Sequence, residues 1–162
     1  MREYKKNNTK FVGALAEKAF QYYAMLNSIL TCSPDDGMGR YDSITDYNGN
    51  LLKTQVKCCT RSKDTKNGPS YTVNTSSVDY NRKSYAYSPE FVDFITLVVL
   101  PDENFVEPQF YHIPIGELDG RKSLSLAPAR NGDSKKGKTM EWIEQFRNNW
   151  EVFKTATLKK AA

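Results

Sequence analysis

The sequence predicts an α/β sandwich built on a mixed sheet. Three observations carry that prediction: an amphipathic helix opens the chain, an Asn-Gly hairpin follows it, and an aliphatic strand precedes a closing aromatic helix. Thr9 is placed to cap the first helix, which the apolar positions Phe11, Leu15, Ala19, Leu26 and Ile29 carry to about Leu30. Glu17 is the only acid within it. Its neighbours one turn away, Gly13 and Gln21, are small or polar, so Glu17 faces either solvent or a cleft. Cys32 to Gly39, with Pro34 and two glycines, reads as a loop.

Arg40–Asp46 and Leu51–Thr60 are the strands of the hairpin, turned at Asn48-Gly49 because both residues take positive φ at little cost. With that turn Tyr47 pairs with Asn50, and Asp42 falls opposite Gln55. Side chains alternate faces, so Lys57 projects on the side of Gln55. Directly opposed residues have Cβ atoms about 4.5–5.5 Å apart, which brings acid, amide and lysine to one spot. A slip of one residue in the turn would send Gln55 and Lys57 to the other face together. An ordinary polar hairpin with one exposed acid and one exposed lysine is the alternative reading.

Beyond the hairpin, Arg61 to Ser70 reads as an exposed basic loop, Tyr71 to Asn74 as a short strand, and Ser76 to Pro89 as irregular. Phe91 to Leu100 is the strongest buried strand, with Phe94-Ile95 and Leu97-Val98-Val99-Leu100. Phe110 to Pro114 is a further strand, and Pro114 to Leu118 a turn of helix. Thr139 is placed to cap a last helix to about Lys154, with Trp142, Ile143, Phe146, Trp150 and Phe153 on a packing stripe. The expected organisation is a single domain over residues 1–162.

Composition excludes several classes. No run of eighteen apolar residues occurs and Met1 to Lys6 lacks an apolar signal core, so a cytoplasmic protein without membrane association is expected. Cys32, Cys58 and Cys59 are odd in number and make a poor disulfide framework; a core or strand role is expected for them. His112 is the only histidine and no Cys-x-x-Cys occurs, which argues against zinc; His112 itself reads as structural. The net charge of +4 is unevenly spread. No lysine or arginine lies between Ser84 and Gly120. Lys53, Lys57, Arg61, Lys63 and Lys66 cluster after the hairpin, and Arg121, Lys122, Arg130, Lys135, Lys136 and Lys138 before the last helix. Such segregation suits a polyanion on one side, with a solvated basic surface as the alternative for any one cluster.

Cleaving a phosphodiester needs an activated water held by a metal and a group that stabilises charge at phosphorus. Magnesium takes oxygen ligands and keeps several waters, so one or two carboxylates suffice. Asp42 is the candidate central carboxylate, Glu17 the second, the Val56 carbonyl a backbone oxygen and Gln55 a neutral one; Lys57 is placed to orient the nucleophile. The pair Asp35-Asp36 reads as loop capping. Arg40, Arg61, Lys63, Lys66, Arg82, Arg130 and Lys135 are the candidate DNA contacts, and Tyr80, Tyr85 and Tyr87 are candidates to stack on or bond to DNA.

Asp42 followed by Gln55-x-Lys57, with Glu17 in the preceding helix, resembles the PD-(D/E)XK nuclease superfamily. It is most similar to the branch of small homing endonucleases and Holliday junction resolvases, in which Gln often stands before the lysine. Tyr41-Asp42, Asp46 to Gly49, Val92-Asp93-Phe94, Tyr111 to Pro114, Ser123 to Leu126 and Pro128 to Gly132 extend the likeness over roughly residues 9 to 150. The resemblance implies a restriction-endonuclease-like core, a mixed four- to five-stranded sheet flanked by helices. It implies Mg²⁺-dependent cleavage of double-stranded DNA, with Mn²⁺ able to substitute, and a homo-oligomer, dimer or tetramer. It assigns Glu17 and Asp42 as metal ligands, Gln55 to the metal site and Lys57 as the catalytic lysine. Gln55 departs from the commonest pattern and removes one negative charge from the site. Two alternatives to a homing-type endonuclease are a structure-selective junction resolvase and a non-catalytic DNA-binding protein on a nuclease fold.

Overall fold

Asn48 and Gly49 both adopt positive φ, 52° and 82°, and the Gly49 N–H donates to Asp46 Oδ1 at 2.8 Å. The turn therefore forms as the sequence dictates, and Tyr47 pairs with Asn50 through to Ser43 with Thr54. The computed structural model describes residues 9–34, 40–65, 68–78, 81–100, 107–126 and 141–160. Its elements are α1 (Thr9–Leu26), β1 (Leu30–Cys32), β2 (Ser43–Tyr47), β3 (Asn50–Cys58), β4 (Thr60–Thr65), β5 (Gly68–Asn74), β6 (Ser76–Val78) and β7 (Ser84–Ala86). There follow β8 (Phe94–Val99), β9 (Gln109–Pro114), a 3-10 turn (Ile115–Leu118), β10 (Ser123–Leu126), a helical turn at residues 141–144 and α2 (Glu151–Lys160).

The main sheet has five strands in the order β1-β2-β3-β8-β9. Only β3 and β8 run parallel, so the sheet is mixed as expected. Its strands bury both faces, and side-chain alternation sorts their residues into two cores. Leu52, Val56, Phe94, Val98 and Phe110 pack against Ala16, Phe20 and Ala24 of α1 and Phe153 of α2. Ile95, Leu97, Val99, Tyr111 and Ile113 pack on the other face against Val73 of β5, Leu124 and Leu126 of β10, and Ile143 and Phe146. A side chain the size of Phe20 or Phe153, fully buried, is worth about 2–3 kcal/mol.

Four expectations from sequence are corrected. Helix α1 ends at Leu26, not near Leu30: Ser28 turns left-handed at φ 60°, its N–H donates to Met25 O, and the Ile29 N–H donates to Ala24 O. That is the Schellman pattern with serine in the usual glycine place, and buried Ile29 supplies its apolar contact. Leu30–Cys32, of which Cys32 is expected in a loop, forms edge strand β1. Within the expected loop Arg61–Ser70, Arg61–Thr65 and Gly68–Ser70 are instead paired strand, β4 against β5 with a bulge between Arg61 and Lys63, and β10 joins them in a second sheet. The expected irregular stretch Ser76–Pro89 contains the antiparallel ribbon β6–β7.

The closing helix is also broken. Asn148 takes φ 48°, and the chain there binds the edge of β9: Asn148 N–H donates to Phe110 O at 2.7 Å, Phe110 N–H to Asn148 Oδ1 at 2.9 Å, and His112 N–H to Phe146 O at 3.1 Å. Satisfying an otherwise open sheet edge outweighs continuing the helix. Thr139, its expected cap, lies outside the described residues. Cys59 is buried and Cys58 half-buried, in keeping with packing roles, whereas Cys32 is exposed; all three are free thiols. Among the described residues no helix is long and apolar enough to cross a membrane.

His112 is fully buried among Phe20, Phe110, Trp150 and Phe153, with Nδ1 bonded to Thr96 Oγ1 at 3.0 Å and Nε2 without a partner among the described residues. Burial lowers its pKa to about 3, against about 6.5 for a free imidazole. A depressed folded-state pKa means that its contribution to stability is whole above pH ~6.5 and is lost as pH falls toward 3. Urea unfolding at pH 7 and pH 4.5 is expected to show a loss of about 3 kcal/mol from this group. His112→Leu should flatten that dependence; an unchanged slope in the variant would place the acid sensitivity elsewhere.

Candidate active site

Strand β2 begins at Ser43, one residue after Asp42, while its partner β3 runs on to Cys58. The Asp42 N–H still reaches Thr54 O at 3.0 Å, but past this point β3 has no backbone partner on that side among the described residues. The Asp42 side chain takes its place. Asp42 Oδ2 accepts the Val56 N–H at 2.8 Å and also accepts from Gln55 Nε2. Along a strand, N–H and C=O of one residue point the same way, so the Val56 carbonyl is turned to the side of the Asp42 carboxylate. The Gln55 amide, oriented by its nitrogen toward Asp42, keeps Oε1 as an oxygen donor.

Gln55 and Lys57 project from the face of β3 opposite α1, into a cleft of about 1260 Å³ between the main sheet and the second sheet. Asp42, Arg40 and Lys57 line one wall; Asn74, Ser77 and Tyr85 line the other. Lys57 Nζ lies 5.5 Å from the centroid of the Tyr87 ring. Tyr87 is itself packed against the core, so the ring gives the ammonium a fixed apolar face to rest on. The Arg40 guanidinium sits 3.8 Å from the Phe91 ring centroid, at the same cleft.

Glu17 comes from the other layer. Small Ala16 and then Phe20 seat α1 on Leu52 and Val56, and Glu17, one residue past Ala16, is left half-buried on the flank of the helix. Its pKa is raised, first by desolvation and then by the charge of Asp42, with Lys18 and Lys57 opposing. Asp42 is raised as well, by desolvation, against the Val56 N–H and Lys57 that favour its charged form. Asp42 and Glu17 are both partly buried, and the charge of Asp42 raises the proton affinity of Glu17. With the Gln55 oxygen and a backbone carbonyl these carboxylates are the candidate oxygen donors for a hard divalent cation. Among the described residues no three His, Cys, Asp or Glu side chains cluster, so water and substrate oxygens would complete the shell.

The structure thus brings Asp42, Gln55, Val56 and Lys57 together, with Glu17 near enough to feel the charges of Asp42 and Lys57. Of the candidate DNA contacts, Arg40 lines the cleft, and Arg82 is exposed at the turn of the β6–β7 ribbon with φ 59°. Arg61 and Lys63 fall on β4 at its bulge. Lys66, Arg130 and Lys135 lie outside the described residues, as do Asp35, Asp36 and Tyr80. The sequence reading missed the distal wall of the cleft, residues Asn74 and Ser77, because short polar strands carry no apolar alternation. It also missed Phe91, the ring beneath Arg40.

A family model of the PD-(D/E)XK endonuclease matches residues 7–149. The chain belongs to the PD-(D/E)XK endonuclease family, whose members are nucleases that generally use divalent metals. Among solved structures, that of a bacterial homing endonuclease, I-Ssp6803I, superposes with a TM-score of 0.72 at 24% identity, covering 96% of this chain and 97% of that one. At that identity the likeness is one of fold. A structure of MepB superposes with a TM-score of 0.44 at 15% identity, covering 80% of this chain and 95% of that one, too distant to carry an argument. No curated protein sequence matches the chain.

Raised carboxylate pKa values mean that the charged forms of Asp42 and Glu17 are disfavoured by folding. The associated penalty is absent below the unfolded pKa, near pH 4, and grows as pH rises through the folded value. Asp42→Asn keeps an acceptor for Val56 and an amide partner for Gln55 while removing the charge. In metal-free buffer it should raise the urea midpoint at pH 7.5 and leave it unchanged at pH 3. Equal midpoints at both pH values would show that the carboxylate carries no desolvation penalty.

Proposed function

We propose that the chain is a divalent-metal-dependent endonuclease that hydrolyses phosphodiester bonds of double-stranded DNA at specific sites, in the manner of a homing endonuclease. The observation that carries this reading is the Asp42 carboxylate, fixed by the Val56 N–H and Gln55 beside Lys57 at the mouth of a cleft. Membership of an endonuclease family supports the reaction class. The similarity in fold to a bacterial homing endonuclease supports the site-specific form of it.

In this reading Asp42 and Glu17 hold the cation, with the Val56 carbonyl and Gln55 Oε1 as further oxygens; Mg²⁺ is the expected ion and Mn²⁺ a substitute. When bound, a divalent ion acidifies water and offsets the charge of the scissile phosphate. The chain's own groups do the rest. Lys57 donates a hydrogen bond to a phosphate oxygen or to the attacking water, and its ammonium balances charge that grows in the transition state. The Tyr87 ring limits where that ammonium can go, which favours one orientation of attack. Gln55 supplies an oxygen without a charge, so the raised proton affinity of Glu17 and Asp42 provides the demand for a cation. Arg40, which lines the cleft, binds backbone phosphates, and Arg61, Lys63, Lys66, Arg130 and Lys135 are the further basic residues offered for phosphate contact. One domain carries one site, so breaking both strands calls for a homo-oligomer, dimer or tetramer.

Three substrates separate the readings: a randomised duplex library, a synthetic four-way junction and a supercoiled plasmid, each with Mg²⁺ and with EDTA. Cutting confined to a few duplex sequences is expected, abolished by EDTA and reduced by a factor of about 10²–10⁴ in Lys57→Ala. Preferential cutting of the junction would make the protein a resolvase. Tight binding without cutting of any substrate would contradict the enzymatic reading and leave a DNA-binding protein on a nuclease fold.

A further inference from the structure

The wall of the cleft facing the candidate catalytic residues is built from β5 and from the two-stranded ribbon β6–β7. The base of that ribbon is firmly tied. Thr75, fully buried between β5 and β6, donates its N–H to Lys122 O at 2.9 Å and its hydroxyl to Arg121 O at 2.7 Å, and Lys122 Nζ donates to Ser84 O at 2.8 Å. The outer part is open. Val78 is 64% exposed and Tyr85 50% exposed, and Arg82 and Lys83 are exposed at the turn. Ser76 pairs with Ala86, Ser77 with Tyr85 and Val78 with Ser84. Alternation therefore puts Ser77 and Tyr85 on one face, and Tyr87, two residues on, continues that face to the ring beside Lys57. The ribbon looks along the cleft toward the site of cutting. It is anchored at one end, polar, and carries an exposed cation at its tip.

We propose that the β6–β7 ribbon reads base sequence by entering the major groove of the duplex, with Ser77, Arg82 and Tyr85 making the contacts to base edges. The inference rests on the endonuclease reading and adds the element that selects the target. A two-stranded ribbon fits the major groove of an undeformed duplex, about 12 Å wide, whereas the minor groove, about 6 Å wide, takes one only when the duplex is bent or widened. The groove edges offer guanine acceptors to the forked guanidinium of Arg82 and donors or acceptors of either kind to the two hydroxyls. The tie at Thr75 and Lys122 holds the contacts at a fixed offset from Lys57, so that recognition sets the position of the cut.

The test is binding selection from a randomised duplex library in a Lys57→Ala background, which leaves bound duplex uncut, followed by the same selection with Arg82→Ala, Ser77→Ala or Tyr85→Phe added. Thermal melting checks that each variant folds, and Arg82→Ala changes an exposed side chain only. The expected result is loss of preference at a short run of adjacent base pairs, about 5- to 150-fold at the Arg82 position, with preference elsewhere intact. A variant profile that keeps every preference, whether or not overall affinity falls, would overturn the proposal alone and reduce Arg82 to a phosphate contact. A parent protein that enriches no sequence would overturn both the proposal and the site-specific reading beneath it.

Discussion

The bond from the Val56 N–H to the Asp42 carboxylate is the constraint on which the arrangement of the site depends. It exists because β2 starts one residue after Asp42 while β3 continues, leaving a backbone donor that a neighbouring side chain must satisfy. The acid thereby stands in for a strand. Its position follows from the hairpin register, and the register follows from two residues, Asn48 and Gly49, that accept positive φ. The candidate site is thus tied to the most local feature of the chain.

The two faces of β3 divide the work. Leu52 and Val56 point toward α1 and are part of the core, whereas Gln55 and Lys57 point into the cleft. Seating α1 through Ala16 and Phe20 stabilises the fold and, in the same contact, sets where Glu17 can lie. The result conflicts locally with stability. The charged forms of Asp42 and Glu17 are both disfavoured, first by burial, and Lys57 partly relieves each. Local conflict of this kind is common where a fold gives up stability for chemistry, and a bound cation would resolve it.

Much of this was legible in the sequence. The Asn-Gly turn, the opposition of Asp42 and Gln55, the aliphatic run of β8 and the buried role of His112 all follow from local chemistry or from strict alternation. What was not legible depends on partners distant in sequence. Ser28 ends α1 without a glycine because Ile29 finds a buried place. The chain at Asn148 leaves the helix because β9 has an edge to cover. Of the polar strands β4 to β7 only the Tyr71–Asn74 stretch of β5 was legible; the rest exist through pairing with β10 and with each other, a signal that hydrophobic pattern does not carry. The cleft wall that holds Asp42, Gln55 and Lys57 was therefore legible as a hairpin, and of the opposite wall only that stretch of β5.

The central claim, that Glu17 and Asp42 together hold a divalent cation, is tested most directly by titrating the DNA-free protein with Mn²⁺ and following the free ion by electron paramagnetic resonance. The account predicts a bound ion in the wild type, affinity lowered by about tenfold or more in Glu17→Gln and in Asp42→Asn, and retained binding in Lys57→Ala. Mn²⁺ held equally well by wild type and Asp42→Asn would contradict it.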